Sequence, residues 1–180
     1  MAEHVALLRG IAPSNPKMRN AELRNVFEGL GFSALRTVIS SGNVLFTGDL
    51  TDRAALEASI EAALEEHLGS PCTTIVRSRR QIELLAGLDV FAGHEDLPSR
   101  RSNVTFLKQR PAAGTEPPDP TPTAEVVAVR NQAVFSVVDP EGSTTSAFMA
   151  ALERTYGRQI TTRTWKTVHR IRVAFAVGER

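Results

Sequence analysis

The stretch ALRTVISSGNVLFT, residues 34–47, predicts a β-hairpin, because two β-rich runs flank the turn-forming pair Ser41-Gly42. Before it, the apolar run HVALLR, residues 4–9, predicts a buried strand that is closed by Gly10. Between the two, apolar residues from 23 to 30 recur at helical spacing. The chain therefore opens with a strand, a helix and a hairpin.

Two further elements complete this first unit. Residues 51–68 have the pattern of an amphipathic helix, and residues 73–77 that of a strand, with a short helix following at 79–87. The order βαββαβ is that of a ferredoxin-like unit, also called an α/β-plait. We therefore predict a ferredoxin-like unit over residues 1–87.

The second half repeats this order imperfectly. The pattern predicts strands at 103–108, 125–130, 133–138 and 160–163, and helices at 145–156 and 165–177. Residues 110–123 contain five prolines, which remove hydrogen-bond donors and exclude a helix there. We predict a second ferredoxin-like unit over 103–180 that lacks its first helix and has this proline-rich crossover instead. Residues 88–102 would be the linker in one compact α+β body.

Composition excludes several classes of protein. The 180 residues hold 42% hydrophobic side chains, and the chain is long enough to bury a core without disulfides. Cys72 is the only cysteine, so neither a disulfide framework nor a thiolate-rich metal site is expected. No apolar run is long enough for a membrane span, and the first residues do not form a signal peptide. We expect a cytoplasmic protein with no membrane association.

The charge balance and the missing motifs narrow the function further. The chain has 21 Lys and Arg against 20 Asp and Glu, which argues against a dedicated nucleic-acid binder. It contains no P-loop, no dinucleotide-binding glycine string and no His pair at metal-ligand spacing. We therefore expect no cofactor and no metal, and the catalytic residues stay unknown.

Four strings of this sequence are similar to those of a known family. LRG at 8–10, AELRNVFEGLGF at 21–32 and TVISSGNVLF at 37–46 resemble the opening of domain-of-unknown-function family 1697, and TTRTWKTVHRI at 161–171 resembles its closing motif. The resemblance implies a bacterial, cytosolic protein with two ferredoxin-like subdomains. It implies no established activity, substrate or catalytic residue.

The predicted topology places several polar residues at one edge of the first sheet. The end of the first strand and the hairpin tip meet there, beside the start of the first helix with Arg19. Helix N-termini, glycine-permitted backbone amides and cations all favour anions. The sequence predicts an anion pocket formed by Arg9, Gly10, Lys17, Ser40, Ser41, Gly42 and Asn43. The alternative is that Ser-Gly-Asn forms only a tight turn.

The basic tail could contribute to the same ligand. Residues 151–180 carry seven basic and two acidic side chains around Trp165, the only tryptophan. An aromatic ring beside cations can stack on a ring and contact phosphate, which makes Arg163, Trp165 and Lys166 candidate ligand-binding residues. The alternative is a tryptophan packed on the sheet.

Three functions remain open from sequence. The first is a binding domain for a small anionic ligand, such as a phosphate, a nucleotide or a carboxylate. The second is an enzyme acting on a phosphorylated or carboxylated metabolite, with His169 or His4 as the base. The third is a structural or interaction protein, monomeric or homodimeric, in which the basic tail pairs with the acidic stretch 49–70. We favour the first and lean against an enzyme.

Overall fold

The structure of the chain is mixed α and β. The computed structural model describes residues 1–40, 42–49, 52–94, 100–139 and 144–177. These residues form two four-stranded antiparallel sheets and five α-helices, which confirms the predicted α+β class. Within these ranges, none of the helices combines the length and apolar character that crossing a bilayer requires. Contacts divide the chain into two units, Gly87–His169 and Met1–Ala86 together with the residues from Arg170 onward.

The first unit contains one sheet and three complete helices. Its elements are β1 (Ala2–Leu8), α1 (Asn20–Gly29), β2 (Ser33–Thr37), β3 (Asn43–Gly48), α2 (Arg53–Leu68), β4 (Thr74–Ser78) and α3 (Arg79–Ala86). The strand order is β2-β3-β1-β4, and every neighbouring pair is antiparallel. β3 therefore lies between β1 and β2, and the latter two run in the same direction, as the sequence predicts.

Helices α1 and α2 share one core with the sheet. Alternate strand residues supply its sheet side, since successive side chains of a strand point to opposite faces. The buried members are Ala6, Leu8, Leu23, Phe27, Val44, Phe46, Ile60, Leu64, Cys72 and Val76. Cys72 is thus a small core residue, and its Sγ donates to the carbonyl oxygen of Arg9 at 3.3 Å.

Helix α2 also covers the outer edge of β4. Glu57 Oε1 accepts a hydrogen bond from the backbone N–H of Val76 at 2.8 Å, and Glu61 Oε1 accepts one from Thr74 at 2.8 Å. These N–H groups belong to an edge strand, where unpaired donors invite pairing with another chain. Two carboxylates of the acidic stretch therefore accept hydrogen bonds from the edge strand. The helical spacing of these residues in the sequence did not indicate this role.

The second unit has the same strand order. Its elements are β5 (Arg101–Leu107), β6 (Ala124–Arg130), β7 (Ala133–Val138), α4 (Thr144–Tyr156), β8 (Ile160–Thr164) and the start of α5 (Trp165–Val177). The sheet runs β6-β7-β5-β8, again antiparallel throughout. Residues 108–123, all of them described, contain no helix. The prolines thus have the predicted effect on the crossover.

Each face of the second sheet has its own packing. Val134 and Val138 pack with Phe148 and Leu152 of α4. Phe135 lies between Val134 and Ser136 on β7, so alternation directs its side chain to the opposite face, where it is fully buried. This opposite face carries the cleft described below.

The unit boundaries differ from those predicted at both ends of the second unit. Residues 88–94, predicted as linker, belong to the second unit, and the chain from Arg170 onward belongs to the first. In the first unit the guanidinium of Arg36 on β2 donates to the carbonyl oxygen of Ala174 in α5. Tertiary contacts of this kind, which no local pattern encodes, decide the division.

Candidate functional site

The structure brings the hairpin tip to the end of β1. The backbone N–H of Leu8 donates to the carbonyl oxygen of Gly42 at 2.8 Å, and the N–H of Arg9 donates to Thr73 on the other side at 2.9 Å. The predicted meeting of these segments is therefore present in the backbone. Ser40 is exposed nearby, whereas Ser41 lies outside the described residues.

Gly42 has a structural role at this edge, and its predicted ligand contact stays a prediction. It is buried, with φ at +73°, and a Cβ there would lie 2.6 Å from Cγ1 of Ile11 and 3.0 Å from Cβ of Leu8. Apolar side chains therefore fill the space that a Cβ at this position would need. The glycine is required because the chain turns in the left-handed region beneath Ile11.

Asn43 is likewise structural. Its side chain is 1% exposed, and its Nδ2 donates to the carbonyl oxygen of Val38 at 2.9 Å, which ties together the two ends of the connection between β2 and β3. A short polar side chain that hydrogen-bonds its own turn is a common turn device. The donor of Asn43 therefore serves the turn, and a ligand contact of this residue stays a prediction.

The remaining predicted residues of this edge stay accessible. Gly10 is exposed at φ +78° with open space around its Cα, Lys17 is exposed, and Arg9 is half-buried. The loop folds back on itself, because the N–H of Ala12 donates to Sδ of Met18 at 3.3 Å. The residues after β1 thus lie beside the residues before α1.

The start of α1 is open at this loop. Asn15 accepts a hydrogen bond from the Lys17 N–H at 3.0 Å and so caps the short 3₁₀ turn Pro16–Met18. Arg19 is the N-cap of α1, and its side chain makes no capping hydrogen bond. The side chain at the N-cap thus leaves the first N–H groups of α1 uncovered, and basic side chains lie beside them. We call Arg9, Gly10, Lys17 and Arg19 the basic loop.

Arg163 supports its own strand in the second unit. It is 8% exposed, and its Nη1 donates to Oγ1 of Thr161 at 2.8 Å and to the carbonyl oxygen of Thr162 at 2.9 Å. Arg77 occupies the same register position in the first unit, where its Nη1 donates to the carbonyl oxygen of Val76 at 2.9 Å. The same contact in both sheets indicates a structural role for this arginine, and a ligand contact of Arg163 stays a prediction.

Trp165 lines a cleft in the second unit, with a volume of about 400 Å³. Its indole is held at ring-centroid distances of 5.3 Å from Phe91, 6.1 Å from Phe135 and 4.7 Å from His169. Lys166 is exposed next to it at the first turn of α5. Trp165 is thus partly packed on the sheet, as the alternative interpretation holds, and partly open to the cleft.

The cleft also contains residues that the sequence did not single out for ligand binding. Asp89 and Ser102 line it together with Phe91 and His94. Ser102 Oγ donates to the carbonyl oxygen of His94 at 3.2 Å, and the His94 N–H donates to the carbonyl oxygen of Phe91 at 2.8 Å. The first bond joins the loop before β5 to β5 itself, and the second lies within that loop. The walls of the cleft are therefore held in place by the protein's own hydrogen bonds.

The two histidines considered as a base lie in different surroundings. His4 is 2% exposed beneath Phe46, with a ring-centroid distance of 5.4 Å. Burial lowers the pKa of His4, although a backbone interaction with Gly48 opposes the effect. His169 packs edge-on against Trp165. Across the described ranges, no three His, Cys, Asp or Glu side chains gather as a metal site would require.

The comparison with protein families settles the relationship of this chain. The model of the family described as "Protein of unknown function (DUF1697)" matches residues 1–135. The chain belongs to this family. The DUF1697 match includes the basic loop and residues 88–94 of the cleft, and it ends before Trp165.

A solved structure extends the similarity over nearly the whole DUF1697 chain. The conserved bacterial protein SP0830 from Streptococcus pneumoniae matches with a TM-score of 0.72 and 22% sequence identity, covering 98% of this chain and 99% of that one. At this identity the match concerns the fold alone. No curated protein matches the chain.

Proposed function

We propose that this protein is a cytoplasmic bacterial binding domain for a small anionic ligand, such as a phosphate, a nucleotide or a carboxylate, held at the basic loop. The observation that carries the proposal is the open amino end of α1, where Arg19 caps the helix without a side-chain hydrogen bond. Unsatisfied N–H groups at the positive end of a helix attract anions. Lys17 and Arg19 are exposed beside them.

The surroundings of the helix start support this assignment. Glu22 is the acidic residue of the first turn, and its carboxylate lies 3.6 Å from Nε2 of His67 on α2. Nε2 of His67 also lies 3.1 Å from the carbonyl oxygen of Lys17, which fixes the loop against α2. A loop that is already fixed loses less conformational entropy when it binds.

We also propose that each unit is ferredoxin-like and that the second lacks the first helix of that fold. The strand orders β2-β3-β1-β4 and β6-β7-β5-β8, antiparallel throughout, support this proposal. The helix-free crossover 108–123 supports the loss of the helix in the second unit.

Thermal unfolding in inorganic phosphate tests the binding site. Chloride at equal ionic strength separates binding from screening. The variants at Lys17 and Arg19 separate binding from the general stabilisation by excluded anions, because exclusion does not depend on these side chains. Phosphate at about 100 times its Kd should stabilise the parent by about 2.7 kcal/mol. Lys17→Ala and Arg19→Ala should lose most of that gain. Arg24→Ala, an exposed change further along α1, is the matched control.

Two results contradict the proposal. One is a phosphate effect of equal size in the parent, in Lys17→Ala and in Arg19→Ala. The other is a phosphate effect that Arg24→Ala reduces as much as Lys17→Ala and Arg19→Ala do. Citrate and adenosine monophosphate, tested in the same way, distinguish carboxylate from phosphate ligands.

A further inference from the structure

The cleft of the second unit has the composition of a small-molecule site. Its volume of about 400 Å³ falls within the range of about 300–1,000 Å³ that is usual for ligand pockets. Such pockets combine apolar and aromatic walls with a few polar groups that fix orientation. Here Leu88, Phe91 and Trp165 provide the apolar walls, and Asp89, His94 and Ser102 the polar groups.

The two large aromatic side chains form a corner. The rings of Phe91 and Trp165 lie 5.3 Å apart between centroids, with an interplanar angle of 65°. A flat ring that stacks on one of them presents its edge to the other, and both arrangements are favourable for aromatic pairs. Trp165 is further held by Phe135 and His169, so its position does not depend on a ligand.

Asp89 supplies the group that selects among flat rings. It is exposed and lines the same cleft, and a carboxylate accepts hydrogen bonds but donates none when ionised. It therefore favours a ring that carries an amino group. A carboxylate beside aromatic rings could also favour a quaternary ammonium ligand. Such ligands are usually surrounded by several aromatic faces, whereas the described lining of this cleft has two large aromatic rings, so a flat ring fits it better.

We infer that the second unit binds an amino-bearing heteroaromatic ring, the chemistry of a nucleobase, in the corner between Phe91 and Trp165. This site goes beyond the anion site of the basic loop, because it uses different residues and needs no phosphate. Asp89 accepts a hydrogen bond from the amino group of the ring. Ser102 and His94 hold the loop that carries Phe91 against β5.

Fluorescence of the full-length protein tests this inference directly. Trp165 is the only tryptophan, so indole emission reports on the cleft alone. Adenosine and purine riboside are the probes, because they differ only in the amino group and neither carries a phosphate. Excitation at the red edge of the indole band avoids absorption by the purine. Saturation-transfer NMR on the same samples detects binding that leaves the emission unchanged.

The expected result is a saturable response to adenosine and a weaker one to purine riboside. Asp89→Asn should weaken adenosine binding about tenfold and leave purine riboside unaffected, because the neutral amide oxygen is a weaker acceptor than the carboxylate. Phe91→Leu should weaken both ligands about tenfold through lost stacking. Asp119→Asn, an exposed change outside the cleft, should behave as the parent.

Three results would overturn the inference. The first is the absence of saturable adenosine binding by either method. The second is equal adenosine affinity in the parent, Asp89→Asn and Phe91→Leu, with folding of each variant checked by circular dichroism. The third is saturable binding of choline without binding of adenosine, which would assign the cleft to a cation. None of these results depends on Lys17 or Arg19, so the two proposals fail separately.

Discussion

Replacing Gly42 with alanine tests how tightly the surrounding side chains pack against this residue. Gly42 and Gly10 both have a left-handed backbone, with φ of +73° and +78°. They differ in their surroundings: a Cβ at Gly42 would lie 2.6 Å from Cγ1 of Ile11, whereas a Cβ at Gly10 meets nothing within 4 Å. Gly10→Ala is therefore a matched control that carries the backbone strain without the collision.

The two substitutions should differ clearly in cost. An L-residue in the left-handed region costs about 1–2 kcal/mol, and both variants incur this term. Forcing an extra carbon into a packed core costs about 1–3 kcal/mol more, and only Gly42→Ala incurs it. We expect Gly10→Ala to lower the free energy of unfolding by about 1–2 kcal/mol and Gly42→Ala by about 2–5 kcal/mol.

Urea unfolding followed by circular dichroism measures both changes. Adding Ile11→Ala to Gly42→Ala should recover the larger part of the collision term, since the shortest contact, 2.6 Å to Cγ1 of Ile11, is removed. The double-mutant cycle should therefore show a coupling of about 1–3 kcal/mol between the two positions. Equal costs for the two glycine variants, or additive effects of Gly42→Ala and Ile11→Ala, would refute the packing argument.

Three further changes test other parts of the structure. The Oε1 of Glu57 accepts from the Val76 N–H at 2.8 Å, so Glu57→Ala should cost about 1–3 kcal/mol in urea unfolding, with Glu57→Gln, which keeps an acceptor, costing less. Thr164 Oγ1 accepts from the Thr167 N–H at 3.2 Å at the start of α5. Thr164→Ala should cost about 1 kcal/mol and Thr164→Ser less, by the same measurement. Burial lowers the pKa of His4, so the unfolded chain takes up its proton at a higher pH than the folded chain, and stability falls as the pH drops below about 6.5. His4→Leu should show a smaller loss of stability than the parent between pH 7 and pH 5 (roughly the range over which histidine titrates), and an unchanged pH dependence would count against this account.

The candidate site shows where sequence reasoning was sufficient and where it was not. The topology that joins the end of β1 to the hairpin tip followed from element order, and the Leu8 to Gly42 hydrogen bond is its consequence. The hydrogen-bond partners of the individual polar side chains did not follow from element order. Asn43 and Arg163 have polar side chains of the kind that bind ligands. In the structure, Nδ2 of Asn43 and Nη1 of Arg163 each donate a hydrogen bond to a nearby backbone carbonyl oxygen.

Apolar periodicity is a local property of the chain, and it was enough to determine the order of strands and helices and the α+β class, while the prolines excluded a helix from residues 110–123. Tertiary structure alone decided that α5 divides its residues between the two units. It also brought Phe91 against Trp165, two rings far apart along the chain, and placed Asp89 in the same cleft. The physical reason is that a binding site depends on which side chains remain available after packing and backbone hydrogen bonds have been satisfied, and that remainder is a property of the folded chain as a whole.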